Sequence, residues 1–392
     1  MTRGPRLAAV DAARGIALLG MIAVHSLAEE SAPGEPTTAF AVFGGRAAAT
    51  FAVLAGLGIA FMTGRRRVRT ADFRATAAML AVRALAIGAI GLALGYTDAR
   101  FATVILPYYA VLFVLAIPLV LLPSWAVAAV GVAVAAGVPL LTHHLLPLLP
   151  APSLDNHGFA DAVAHPVRLL TELTLTGEYP ALAWTTYLCA GLVIGRLPLD
   201  RPKVAVTLAG TGAALAAGAA AVSWLLLNVY GGLAAIWAAQ PGSALTVPET
   251  TELLNLGGDG TVPASTVWWL AVDGPHTGTT PDLVGTTGAA VALIGVLLLL
   301  ERLRTASVLL APLAAAGSMA LTFYVAHLAF VNSSYDVYGP GLGYALQVAA
   351  VLLVGLAWRA TAGKGPLEAL VTFLATRAKR WATPRAQPVQ AR

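Results

Sequence analysis

Apolar residues run along this chain in windows of about twenty, long enough to cross a bilayer as helices. Ten such windows stand out, at about 7–27, 41–63, 77–97, 102–122, 125–145, 179–197, 204–227, 282–300, 308–331 and 341–359. They predict an all-α fold, a polytopic membrane helix bundle of about ten transmembrane helices occupying 1–362. The remainder, 363–392, reads as a basic tail. Within it, 366–381 places Leu367, Leu370, Val371 and Leu374 on one helical face and Arg377, Lys379 and Arg380 near the end. That is the pattern of an amphipathic helix lying in the membrane interface. Two segments between windows, 146–178 and 228–281, carry Pro, Gly, Asn, Trp and three of the seven histidines. Loops of that length more often cover something than merely connect.

Composition agrees with the pattern. Of 392 residues, 58% are apolar and 11% charged, against roughly 25% charged in a soluble domain, and the mean hydropathy is +0.77. A soluble globular protein is excluded. The net charge of +5 does not imply nucleic acid, because the basic residues lie between spans instead of clustering on one face among aromatics. The implied partner is the lipid bilayer. Nineteen Lys and Arg fall at one set of span ends, including Arg3, Arg6, Arg65, Arg66, Arg67, Arg196, Lys203, Arg302, Arg304 and the tail, while only Arg100 and Arg168 fall at the other. Short cytoplasmic loops retain Lys and Arg, so both termini are expected in the cytoplasm. Asp11 and Arg14 interrupt the first window, which therefore stays as a helix and is not a cleavable signal peptide. The single cysteine, Cys189, excludes a disulfide framework and a Cys-based metal site.

Three polar residues share the first window. Asp11 and Arg14 are i,i+3 neighbours, and Arg14 and His25 are eleven residues apart, within ~20° of three whole helical turns and separated by roughly 16 Å of rise. One stripe thus carries a cation at the inner end and a titratable base at the outer. Charges inside a bilayer cost about 2.5–3.5 kcal/mol on insertion scales and need partners or a wet cavity, though an Arg near the face can also snorkel. Arg46, in the second window, has small neighbours that permit close helix contact. Arg83, near the inner end of the third, reads as a snorkelling residue. Tyr108 and Tyr109 fit an aromatic belt at the outer end of the fourth, and His276 and His327 lie at the outer face. No metal site is expected: His143 and His144 are adjacent and point to different sides of a helix. The Gly-rich stretches lack a Walker lysine, so nucleotide hydrolysis is unsupported.

The run from Val10 through Asp11, Arg14 and Gly15 to His25 resembles the opening of the transmembrane acyltransferase superfamily. Phe51-Ala52-Val53-Leu54-Ala55-Gly56 and Gly365-Pro366-Leu367-Glu368 are similar to the heparan-alpha-glucosaminide N-acetyltransferase and YeiB-like branch, and abundant Ala and Gly suggest a GC-rich, actinobacterial source. The resemblance implies a plasma-membrane acyltransferase. It implies an acetyl-CoA or other acyl-CoA donor entering from the cytoplasm, and an outer acceptor that is a glycan or amino sugar. A homodimer is compatible with it. Arg14, with Asp11 and Arg46, would then hold the donor and His25 would act in catalysis, oriented by Glu29. Tyr108, Tyr109, His276 and His327 become candidate acceptor contacts. Heparan-type enzymes tend to have Asn at the position of His25, which leaves N- versus O-acylation open. The chemistry stands without the name: acyl transfer from a thioester needs a base or a nucleophile, and histidine serves as either. A transporter or exporter would also place charges in an even number of spans, but the matched interrupted helices of that class are not evident in the sequence.

Overall fold

The computed structural model describes residues 7–153 and 155–383. Arg3, Arg6, Arg385 and Arg392 of the basic count lie outside them. Helix α1 (Ala8–Ser26) is followed by a small antiparallel hairpin, β1 (Glu30–Ala32) and β2 (Glu35–Pro36), with Glu30 opposite Pro36. Next come α2 (Thr38–Phe43), α3 (Arg46–Met62), α4 (Thr70–Ala93), α5 (Leu106–Leu119) and α6 (Ser124–Leu145). The first long loop folds into α7 (Phe159–Ala164), α8 (Pro166–Thr171) and a π-helical turn at Glu172–Thr176, and leads to α9 (Ala181–Gly195) and α10 (Pro202–Trp224). The second contains α11 (Gly232–Ala239) and α12 (Val247–Asn255), and α13 (Thr280–Leu300), α14 (Arg304–Gly317), α15 (Ala320–Val331), α16 (Pro340–Thr361) and α17 (Pro366–Ala382) complete the chain.

Each of the ten apolar windows falls on an apolar helix or helix pair. Among the described residues, seven helices are long and apolar enough to cross a membrane, or eight if α14 and α15 are one span; α5 and α9 are shorter. The ninth window reads as one continuous helix in sequence, yet the chain bends by 65° between α14 and α15. The freed amide groups at the start of α15 are satisfied from a distance: the Glu368 carboxylate accepts from the N–H groups of Leu321 at 2.7 Å and Thr322 at 3.2 Å. A negative group at a helix N-terminus is favoured by both the unpaired N–H groups and the dipole. Glu301 does the same for α1, accepting from Ala8 and Ala9 at 2.8 and 3.2 Å. The third window also shifts, because α4 begins at Thr70 with Asp72 in its first turn.

Small residues let α1 sit at the centre. A Cβ added to Gly15 would lie 2.1 Å from the Leu313 carbonyl oxygen, and one on Gly317 would lie 1.8 Å from that of Asp11. Backbones of α1 and α14 therefore touch, and no larger residue fits either position. Helices α3 and α9 meet the same way through Gly56 and Gly191. Helix α17 packs along α4 with Val371 and Ala375 buried. Only part of its expected lipid-facing stripe remains outward, with Leu370 at 49% exposure.

Candidate active site

Two cavities flank the middle of α1. The end of the bundle holding α17 and the start of α1 contains the larger, about 840 Å³, and the end holding the long loops contains the smaller, about 230 Å³. Met21, Ile105 and Tyr324 line both. The wall between them is thus one side chain thick.

Arg14 and Asp11 line the larger cavity, paired at 2.7 Å as their spacing predicts. Gly58 of α3 faces the guanidinium and leaves it room. Arg65 lines the same space and donates to the carbonyls of Gly195, at 3.2 Å, and Leu197. Arg83 corrects the sequence reading. It does not snorkel outward but lines the cavity, its guanidinium carbon 5.2 Å from the centre of the Phe113 ring and its Nε shielded from solvent with no hydrogen-bond partner. Arg46 is not brought to this site. It begins α3 at the opposite end of the bundle, exposed, and donates to the Ala41 carbonyl at 2.6 Å.

His25 lines the smaller cavity, one helical turn beyond Met21. Its partner is not Glu29. Nδ1 of His25 lies 3.0 Å from Nε2 of His327, the ring planes within 6° of each other, and Nδ1 of His327 lies 2.5 Å from Oε1 of Gln347. Gln347 in turn donates from Nε2 to Ser26 Oγ at 3.2 Å. An amide oxygen only accepts, so His327 donates from Nδ1 and accepts at Nε2. His25 then carries its proton on Nδ1, and Nε2 is left as its basic atom. His327, expected as an acceptor contact, is instead the residue that fixes the tautomer of His25, with Gln347 behind it. Glu29 lines the same cavity without touching His25, and its carboxyl is raised above the usual range by burial and by Glu178, Glu252, Asp259 and Glu30.

His276 enters from the second long loop. It has φ 54°, a left-handed conformation that costs a non-glycine residue energy and persists only when its surroundings enforce it. They do: Gly258 donates to the Pro275 carbonyl at 3.0 Å and Gly260 to that of His276 at 2.6 Å. A Cβ on Gly257 would lie 2.0 Å from the Pro275 oxygen. Below the turn, Thr279 accepts from the Asp282 N–H at 3.2 Å while the Asp282 carboxylate accepts from Gly278 at 3.1 Å. The ring is held edge-on to Tyr179 and stacked over Trp184. Burial lowers its pKa to about 4, so it is neutral at ordinary pH. Tyr109 lines the larger cavity, not the smaller, and donates to the Ala48 carbonyl at 3.3 Å. Tyr108 is buried behind Tyr179, edge-on at 5.4 Å.

Sequence reading missed Glu178. It lies just before α9 and lines the smaller cavity, and burial raises its carboxyl to about 7 against the opposing pull of the Thr103 and Tyr179 hydroxyls. The local signal was an acid followed by Tyr-Pro at the start of an apolar window. An acid with a raised folded pKa binds more protons folded than unfolded between about 4.5 and 7, so its contribution to stability falls as pH rises through that window. Glu178→Gln removes this term. Its melting temperature, relative to wild type, is expected to be higher at pH 8 than at pH 5; an equal difference at both values would show that Glu178 does not titrate in this range.

The fold and site define a polytopic helix bundle with two cavities separated by one thin wall, the larger mainly apolar with arginines in its lining and the smaller mainly polar. Residues 6–230 match the family described as heparan-alpha-glucosaminide N-acetyltransferase, catalytic, and residues 253–371 match a protein of unknown function, DUF418. The first match covers more than half of the 392 residues, and the chain belongs to that family. It is a multi-pass membrane protein of an acetyltransferase-type enzyme family. No curated protein matches the chain. The smaller cavity draws on both matched segments, His25 and Glu178 from the first and Asp259, His276 and Tyr324 from the second.

Proposed function

We propose that this protein moves an acyl group, acetyl in the first instance, from acyl-CoA in the larger cavity to a hydroxyl or amino group of a sugar in the smaller one. The observation that carries this reading is the shared wall of Met21, Ile105 and Tyr324, with arginines on one side and the His25–His327 pair on the other. Arg14 to His25 spans roughly 16 Å along α1, so the donor reaches the wall as an extended arm with its phosphates at the arginines.

In the reaction, His25 Nε2 takes the proton of the acceptor N–H or O–H as the acceptor atom bonds to the thioester carbonyl carbon. The C–S bond breaks, and the departing thiolate takes that proton to leave as free CoA. His327 accepts from Nδ1 of His25 throughout and supports the imidazolium that forms between the two proton transfers. The residues need no metal for this, and no group of three or more His, Cys, Asp or Glu suited to a metal occurs among the described residues. Neutral His276 and the acidic side chains of Glu29, Glu178, Glu252 and Asp259, which line the smaller cavity, would hold acceptor hydroxyls or an ammonium.

The test is release of free thiol from acetyl-CoA by the purified protein in lipid nanodiscs, with a glucosaminide as acceptor. Acetylated sugar and free thiol in equal amounts support the reading; no CoA binding and no thiol release overturn it. The bend between α14 and α15 favours a second reading, a transporter of a small or lipid-linked substrate, which would move label across a vesicle membrane without consuming acetyl-CoA.

The proposal places this chemistry in a bacterial plasma membrane, with the larger cavity and α17 at the cytoplasmic face and the long loops outside. A cysteine at position 67 is expected to resist an impermeant thiol reagent in intact cells and to react after lysis. Labelling in intact cells would invert the orientation.

A further inference from the structure

Two of the three residues in the wall are tethered, Ile105 by its backbone and Tyr324 by its side chain. The Ile105 N–H donates to the Tyr324 hydroxyl at 3.1 Å, fixing the start of α5 to α15. Beside them, Tyr109 of the larger cavity is held to Ala48 of the smaller at 3.3 Å. Met21 is the exception. It is 7% exposed, and its thioether fills the wall by packing alone. An unbranched side chain with three rotatable bonds adapts its shape where Ile and a hydrogen-bonded Tyr cannot.

Met21 also lies on the functional stripe of α1. It follows Arg14 by seven residues, about 700° or ~20° short of two full turns, and precedes His25 by four, so it stands ~10 Å above the cation and ~6 Å below the base. A donor held at the arginines presents its acyl tip to the wall before its carbonyl reaches His25. The tip must therefore lodge against Met21 or pass beyond it, where the space is about 230 Å³ and lined by carboxylates and histidines.

The geometry points to Met21 as the residue that sets acyl-chain length: its side chain occupies the apolar space a longer chain would need, and the polar cavity beyond gives methylene groups no favourable place. This rests on the acyl-transfer reading. Shortening Met21 to alanine opens room for about two methylenes, and shape-matched burial of two methylenes is worth roughly tenfold in affinity. Replacement by phenylalanine closes the wall instead.

The experiment titrates CoA, acetyl-CoA and butyryl-CoA onto the purified protein in nanodiscs for wild type, Met21→Ala and Met21→Phe. The butyryl-to-acetyl affinity ratio is expected to rise about tenfold in Met21→Ala and to fall below the wild-type ratio in Met21→Phe. The phenylalanine variant keeps the wall filled and supplies the comparison if the alanine variant does not fold. Variants that bind CoA yet keep the wild-type ratio overturn the assignment of Met21 and leave the acyl-transfer reading standing. A wild-type protein that binds neither CoA nor acetyl-CoA overturns that reading and the inference with it.

Discussion

His25→Ala is expected to lower acyl transfer by about 10²–10⁴-fold in kcat, the usual contribution of a positioned general base, with donor affinity retained because Arg14 and Arg83 are untouched. The expectation follows from the tautomer. With Gln347 accepting from Nδ1 of His327, and His327 accepting from Nδ1 of His25, the free lone pair of His25 is confined to Nε2. His327→Phe keeps an aromatic ring beside His25 but removes the acceptor, so His25 redistributes between tautomers and a loss of about tenfold or more in kcat is expected, with KM for the donor unchanged. His327 is thus a positioning residue. Its role separates from a merely structural one by rescue, since a His327→Gln variant, which can still accept a hydrogen bond, is expected to recover part of the rate without altering donor KM. Incubation with radiolabelled acetyl-CoA and no acceptor leaves label on His25 only if the imidazole carries the acyl group as a nucleophile. Normal multiple-turnover transfer by His25→Ala removes His25 from the mechanism, and His276 becomes the next candidate.

What the sequence could carry is what has a fixed local period. Helix geometry alone placed Asp11 beside Arg14 and His25 on the same stripe, and the structure has that pair at 2.7 Å. Hydropathy located all ten apolar windows, but it could not show that the ninth is bent, because the break depends on the carboxylate of Glu368 and on the close approach of Gly317 to Asp11. Partner choice was illegible for a related reason. Glu29 is four residues from His25 and was the local candidate, yet the ring is bound by His327, 302 residues away, through packing of α1 against α15 that no period records. Arg46 and Arg83 were both visible as charges in apolar windows. Which of them faces the donor cavity depends on helix rotation against neighbours, and the reading that favoured Arg46 is reversed by the exposure of Arg46 and the enclosure of Arg83.

Arg83→Met is expected to weaken CoA binding by about 10- to 100-fold while leaving the protein at least as stable as wild type. The two signs together are the diagnostic. Asp11 is committed to Arg14 at 2.7 Å, and Glu368 to the amides of α15 at 2.7 and 3.2 Å. Arg65 spends its donors on backbone carbonyls. Arg83 has the Phe113 face and no ion pair within the described residues. A cation partly withdrawn from water, with its Nε shielded and unpaired, is costly, and stacking on an aromatic ring returns only about 0.5–2 kcal/mol of that cost. An anionic donor group would complete it, and a charge-assisted hydrogen bond to a charged group contributes about 1.5–3 kcal/mol, which sets the size of the expected loss. Methionine fills similar apolar space beside Phe113 without the unpaired charge, so thermal unfolding without ligand should occur at or above the wild-type temperature. Arg14→Met differs, because it strands the buried Asp11 carboxylate and should lower that temperature. If Arg83→Met binds CoA as wild type does, the phosphates are held elsewhere, and the cation at Arg83 answers to the bundle and not to the donor.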